Sequence, residues 1–136
     1  MSRRPAIDFD DVMLERGYSG GRAYTQSKLA QVMFTFDLAR ELAGSGVTVT
    51  SLHPATYMNT TMVRQSGVSP MSTVDDGADA ILNLAVSPDL ENVSGQYFNR
   101  LQAARADPQA YDAHAQRRLR ELSLRVTGLA SFAAKP

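Results

Sequence analysis

Apolar residues recur at three- and four-residue steps from about Arg22 to Ala43. Leu29, Val32, Met33, Phe36, Ala39 and Leu42 form one continuous stripe, which predicts an amphipathic helix. Gly44 and Gly46 follow, suited to closing it in a left-handed conformation. The next run, Val47-Thr48-Val49-Thr50-Ser51-Leu52, is β-branched, short and stopped by Pro54, and predicts a strand. Met58 to Gln65 is compatible with a short helix and Gly67 to Ser72 with a loop. Thr73 opens a second long helix, because Thr73-Val74-Asp75-Asp76 fits a capping box. Ala78, Ile81, Leu82 and Ala85 form its expected inner face, and Pro88 follows its end. Gly95-Gln96-Tyr97-Phe98-Asn99 predicts a second strand. Asp107-Pro108 pairs an N-cap with proline at the first helical position. Tyr111, Ala115, Leu119, Leu122 and Val126 make the third stripe, with Arg117, Arg118, Arg120 and Arg125 beside it as a solvated face. Residues 1–20 read as an irregular lead-in, rich in aspartate and ending in the turn signal Gly17-Tyr18-Ser19-Gly20-Gly21, and 130–136 as a frayed tail.

Helix, strand, helix, strand, helix is an α/β alternation, with a parallel pair of strands joined by a right-handed crossover. Two strands hold about 12 of 136 residues, below the ~20–25% usual for mixed domains. A parallel pair is normally buried on both faces. The expected fold is therefore the C-terminal half of a doubly wound, Rossmann-type sheet, with residues 1–136 forming a single partial domain.

Composition narrows the chemistry. The absence of cysteine removes disulfides, zinc fingers and thiol catalysis together. Formal charge is zero, so no broad nucleic-acid footprint is expected. His53 and His114 are the only histidines, and no metal site is expected from them. His53 reads as a structural strand-end residue and His114 as a surface one. No apolar run approaches the ~18 residues of a membrane span, and the acidic start (Asp8, Asp10, Asp11) argues against a secretory leader. The expected location is cytoplasmic. Of the 14 basic residues only Lys28 and Lys135 are lysines, so a lysine in the middle of a helix invites a reason.

Tyr24-Thr25-Gln26-Ser27-Lys28 puts a phenol and an ammonium four residues apart, one turn along the same helical face. A free tyrosine, with a pKa of ~10, is a poor acid–base catalyst at neutral pH. A neighbouring cation favours the phenolate, and a useful shift of two or three pKa units asks ~3–4 kcal/mol of the surroundings. On spacing alone, such a pair is usually a solvent-facing one.

The segment resembles the Tyr-x-x-Ser-Lys signature of the short-chain dehydrogenase/reductase family, in its retinol-dehydrogenase-like branch. Leu29-Ala30, Phe34-Thr35 and Leu38-Ala39-Arg40-Glu41-Leu42 continue the likeness. Val47 to Pro54 resembles the following strand and turn, and Ser94-Gly95-Gln96-Tyr97-Phe98 the last core strand. The resemblance runs from about residue 6 to residue 128. It implies hydride transfer between NAD or NADP and a bulky or lipophilic alcohol or carbonyl. Tyr24 would exchange a proton with the substrate oxygen. Lys28 would hydrogen-bond the nicotinamide ribose and lower the pKa of Tyr24. Pro54, Ala55 and Thr56 would line the nicotinamide carboxamide, with Ala55 where the family usually has glycine. Thr60 matches the family's threonine after this turn, one residue further on, and Thr56 to Ser72 corresponds to the substrate-covering loop.

The family's glycine-rich cofactor turn lies between a first strand and a helix, where backbone N–H groups meet the pyrophosphate. Gly44-Ser45-Gly46 instead precedes a strand, and Gly17 to Gly21 precedes a helix with no buried strand before it. The family's catalytic serine belongs on a strand upstream; Ser2 is near that point but has no strand to position it. An assembled enzyme would then need a complementary N-terminal half or a second copy to cover the Val47–Leu52 edge. Two alternatives stand beside the oxidoreductase. One is a non-catalytic truncated fragment or interaction protein. The other is a serine hydrolase using Ser19, since Gly17-Tyr18-Ser19-Gly20-Gly21 fits Gly-x-Ser-x-Gly with His114 downstream.

Overall fold

The computed structural model describes residues 6–132. Helix α1 (Gly20–Glu41) is the longest element, about 33 Å at 1.5 Å per residue. Ser19 caps it, its Oγ accepting the Arg22 N–H, and Gly44 and Gly46 follow its end at φ of 79° and 82°. Strand β1 (Thr50–His53), helix α2 (Thr61–Gln65), helix α3 (Val74–Val86) and strand β2 (Gln96–Asn99) follow. Strand β3 (Gln102–Ala104) and helix α4 (Ala113–Thr127) complete the order. β1 and β2 are parallel, with Leu52 opposite Phe98, and β2 and β3 are antiparallel. The sheet order β1-β2-β3 leaves β1 at one edge. This is the α/β arrangement of a partial Rossmann-type sheet. No helix among the described residues is long and apolar enough to cross a membrane.

The main core sits on one face of the sheet. Leu29, Met33 and Phe36 of α1 are buried against Ala110, Ala115 and Ile7, with Tyr97 of β2 packed against them. Alternation along β2 turns Phe98, also buried, to the other face. Between Ile7 and Ser19 the chain has no regular element, yet its first half is tied down. Gln109 exchanges hydrogen bonds with both backbone groups of Ile7 (2.6 and 3.1 Å), and Gln26 accepts from the Asp8 N–H and donates to the Val12 carbonyl. Ser2 and Lys135 lie outside the described residues.

Several expectations are corrected. Among the described residues there are three strands, not two, and four α-helices, α2 being one turn and a half. β3 is short and alanine-rich, which is weak strand chemistry, so it forms because it follows β2 through a tight turn at Arg100 (φ 57°). The first strand begins at Thr50 rather than Val47, because the Val49 N–H is taken by Ser94 Oγ before regular pairing starts. The helix expected from Asp107 breaks in two: Pro108–Tyr111 is a 3₁₀ turn, and Asp112 caps α4 afresh through the His114 and Ala115 N–H groups. The inner face expected for α3 is the outer one. Gly77 and Ala80 are buried, whereas Ile81 is 51% and Leu82 57% exposed, with Ala78 and Ala85 exposed beside them. The Met58 sulfur occupies the space a Cβ at Gly77 would need, so the small residues set which side of the helix is drawn in.

The arginines of α4 are not merely solvated. Arg120 bridges Asp37 and Glu41 of α1 at 2.6 Å each, and Arg118 lies over the Phe9 ring. Of the tail, Phe132 packs edge-to-face on Phe34 at 5.0 Å and Ser131 Oγ donates to Glu41, so its first residues are held; 133–136 lie outside the described residues.

Candidate functional site

Tyr24 and Lys28 lie in the second and third turns of α1, and Gln26 explains why they face outward. Its side chain is buried and hydrogen-bonded to the lead-in, which turns the opposite face of the helix to solvent. Tyr24 is 56% exposed. The Lys28 ammonium stands 5.5 Å from the centre of the Tyr24 ring and contacts Gln31 Oε1 at 3.3 Å. A phenol hydroxyl with open access and a cation beside it are what acid–base work on a substrate oxygen needs. The other two polar residues of the motif serve the helix. Thr25 Oγ1 donates to the Gly21 carbonyl and Ser27 Oγ to the Tyr24 carbonyl.

The Pro54 turn comes to the same end of the sheet by topology. α1 packs on β1, and the chain reverses between them through Leu42 to Gly46. Lys28 lies about 20 Å back along α1 from Glu41, and an extended chain from Val47 to Pro54 covers about 23 Å. Ala55 is buried, between a half-buried Pro54 and an exposed Thr56. Thr56 is bound at two points: its Oγ1 lies 3.0 Å from His53 Nε2, and its carbonyl accepts from Ser72 Oγ at 2.6 Å. Thr60 turns out to be the N-cap of α2, accepting from the Val63 N–H, and its hydroxyl is engaged there. The loop from Thr56 to Ser72 is pinned at its base by a parallel bridge between Met58 and Ser72, and it exposes Tyr57, Met62 and Met71.

Other groups are placed elsewhere. Ser19 follows turns rather than a strand, and its hydroxyl caps α1, so the nucleophile elbow is not formed. His114 is exposed in the first turn of α4. An open hollow of about 630 Å³ lies at the opposite end of α1, lined by Phe36, Leu42, Val47, Asn92 and Tyr111, away from the Tyr24–Lys28 pair. Sequence reasoning missed Gln26 and Ser72. A glutamine in step with Leu29, Met33 and Phe36 was the available signal for the first; nothing local marks the second.

A nicotinamide dinucleotide fits these residues at one end only. Tyr24, Lys28 and the Pro54–Thr56 turn are the groups that would hold the nicotinamide and its ribose. The pyrophosphate is not matched: among the described residues no glycine turn leads from a strand into a helix.

The family described as short chain dehydrogenase matches residues 12–69. Retinol dehydrogenase 13 of Homo sapiens is 40% identical over 139 residues, covering 90% of this chain and 42% of that protein. Retinol dehydrogenase 14 of Homo sapiens is 36% identical over 136 residues, covering 90% and 40%. A crystal structure of an uncharacterized protein from Mycobacterium Paratuberculosis is similar with a TM-score of 0.71 at 26% identity, over 96% of this chain and 48% of that one. The chain thus spans less than half the length of each. The span matched by the family includes the Tyr24–Lys28 turn, β1 and the Pro54 turn. By sequence and fold, this chain belongs to the short-chain dehydrogenase/reductase family, in its retinol-dehydrogenase-like branch.

Proposed function

We propose that the chain carries the acid–base and nicotinamide side of an NAD- or NADP-dependent alcohol/carbonyl oxidoreductase. The observation that carries this reading is the exposed Tyr24 phenol with the Lys28 ammonium 5.5 Å from its ring centre, on a helix whose other face is locked in the core. Tyr24 Oη takes the proton from an alcohol oxygen or returns it to a carbonyl oxygen. Lys28 supplies positive charge beside the phenol and a donor for a ribose hydroxyl. Pro54, Ala55 and Thr56 present backbone groups to the carboxamide. The bound dinucleotide would supply or accept the hydride. A long apolar alcohol suits the exposed Tyr57, Met62 and Met71 of the loop, and the retinol dehydrogenases among the relatives support that substrate class.

The open edge of β1 and the exposed apolar stripe of α3 favour a second polypeptide surface in the working enzyme, either a complementary cofactor-binding half or a second copy. The same two features also support the rival reading, a non-catalytic fragment or interaction protein that keeps the residues without the turnover. Mutagenesis in an assembled enzyme separates them. Tyr24→Phe should abolish nearly all turnover with cofactor binding largely kept, and Lys28→Met should damage both. Near-wild-type kcat in Tyr24→Phe would remove Tyr24 from the mechanism.

A further inference from the structure

Tyr57 sits at φ 44°, a left-handed conformation that a bulky side chain adopts only when its surroundings hold it there. Its neighbours show what does the holding. On one side, the Thr56 carbonyl accepts from Ser72 Oγ, the Tyr57 carbonyl accepts from the Met71 N–H at 3.0 Å, and the Asn59 N–H donates to the Ser72 carbonyl at 3.0 Å. These bonds join the two feet of the loop to each other. They do not tie either foot to the sheet. Beyond the chain itself, which runs through Pro54 and the buried Ala55, a side-chain tie comes from the bond between His53 Nε2 and Thr56 Oγ1, with His53 fixed as the last residue of β1, its carbonyl accepting from the Arg100 N–H at 2.8 Å.

We propose that His53 is a positioning residue: through the Thr56 hydroxyl it registers the Pro54–Ala55–Thr56 turn and the base of the Thr56–Ser72 loop against the end of β1. The role rests on the reading of this turn as the nicotinamide side of the site. His53 touches no reacting atom. It sets where the backbone of the turn stands relative to Tyr24 and Lys28, and whether Tyr57 keeps its strained conformation. Either tautomer serves, because a threonine hydroxyl both donates and accepts. An imidazole suits this role because its ring is rigid, so one hydrogen bond fixes a direction as well as a distance.

The test uses the whole chain labelled with ¹⁵N, in which the imidazole signals of His53 and His114 are told apart by a His114→Asn variant. In Thr56→Val the His53 Nε2 resonance should move, and the Asn59 and Met71 amides should exchange with solvent about three- to tenfold faster, the size expected for loss of one hydrogen bond. Thr56→Ser should restore both, and His53→Gln should keep exchange nearer to wild type than His53→Phe. Nicotinamide mononucleotide is then titrated into wild type and Thr56→Val, with the Ala55 and Thr56 amides as reporters; binding should weaken several-fold in the variant. An unmoved Nε2 resonance, or unchanged exchange in Thr56→Val, overturns the positioning role. Wild-type amides that ignore the mononucleotide while the exchange changes persist leave His53 as the tie of the loop and overturn the nicotinamide reading instead.

Discussion

Gln26 shows how a single side chain can orient a site without belonging to it. It lies between Tyr24 and Lys28 in sequence but points the other way, buried, with the Asp8 N–H and the Val12 carbonyl as partners. Replacing it by alanine leaves those partners short and opens a gap beside Leu29. Gln26→Ala should therefore cost about 1–3 kcal/mol in urea unfolding, with increased amide exchange concentrated in residues 8–14. A variant as stable as wild type would show that the lead-in is held without Gln26, by contacts such as those of Ile7 with Gln109 and Asp8 with Arg22. That Tyr24 and Lys28 share an exposed helical face was readable from spacing, whereas a role for the pair rests on the family resemblance. The place of Thr60 was not readable: at the start of a helix a threonine hydroxyl is taken by backbone N–H groups, and a motif offset does not reveal that competition.

Among the elements, α3 is sensitive to acid through its N-terminal cap. Its capping box pairs the Thr73 hydroxyl with the Asp76 N–H while the Asp76 carboxylate accepts from the Thr73 N–H. Those hydrogen bonds from Thr73, with Arg100 adding its charge, hold the Asp76 carboxyl below its ordinary value. Folding thus favours the ionised form. The stabilisation is fully present above the ordinary carboxylate range and is lost as pH falls through the lower, folded-state value. Helical circular dichroism should decline as pH drops from about 4 downward. Asp76→Asn should start with less helix at neutral pH and change less over that acid range. Asp112, held low by the Ala115 and His114 N–H groups, gives α4 the same dependence. These caps, and the long stripe of α1, were legible because they are local: a residue and its neighbours three or four positions away contain all that decides them. β3 and the facing of α3 were not. An alanine-rich strand forms because β2 offers it a ladder, and which stripe of α3 turns inward follows from the fit of Met58 over Gly77, a contact that no periodicity records.

The molecule as a whole is unevenly covered. One face of the sheet carries α1, α4 and the 3₁₀ turn at Pro108–Tyr111, with Arg120 strapping α4 to α1 through Asp37 and Glu41. Hydrogen bonds to those two carboxylates raise the Arg120 pKa further above its already high value, so the strap keeps its charge at any ordinary pH. Elsewhere β1 has an open edge and α3 an apolar stripe in water. With no pyrophosphate cradle among the described residues, the isolated chain should bind NAD(H) or NADP(H) only weakly. Calorimetry that found micromolar affinity would contradict this. Adding a polypeptide that covers β1 and α3 should tighten binding and slow exchange at the Thr50 and Leu52 amides together.

The two borders of the sheet differ in a way that limits how it can grow. β3 is three residues long and leads at once into Arg105, a border too short to template another strand. Among the described residues nothing pairs with the other border, β1, and Thr50 to His53 carries no acidic residue, lysine or proline to repel a neighbour. Joining β1 to β3 of the next molecule would give an unending fibre, whereas joining β1 to β1 uses up the free border on both sides and stops. If copies of this chain associate through β1, light scattering on a concentrated sample should level off at twice the monomer mass rather than climb.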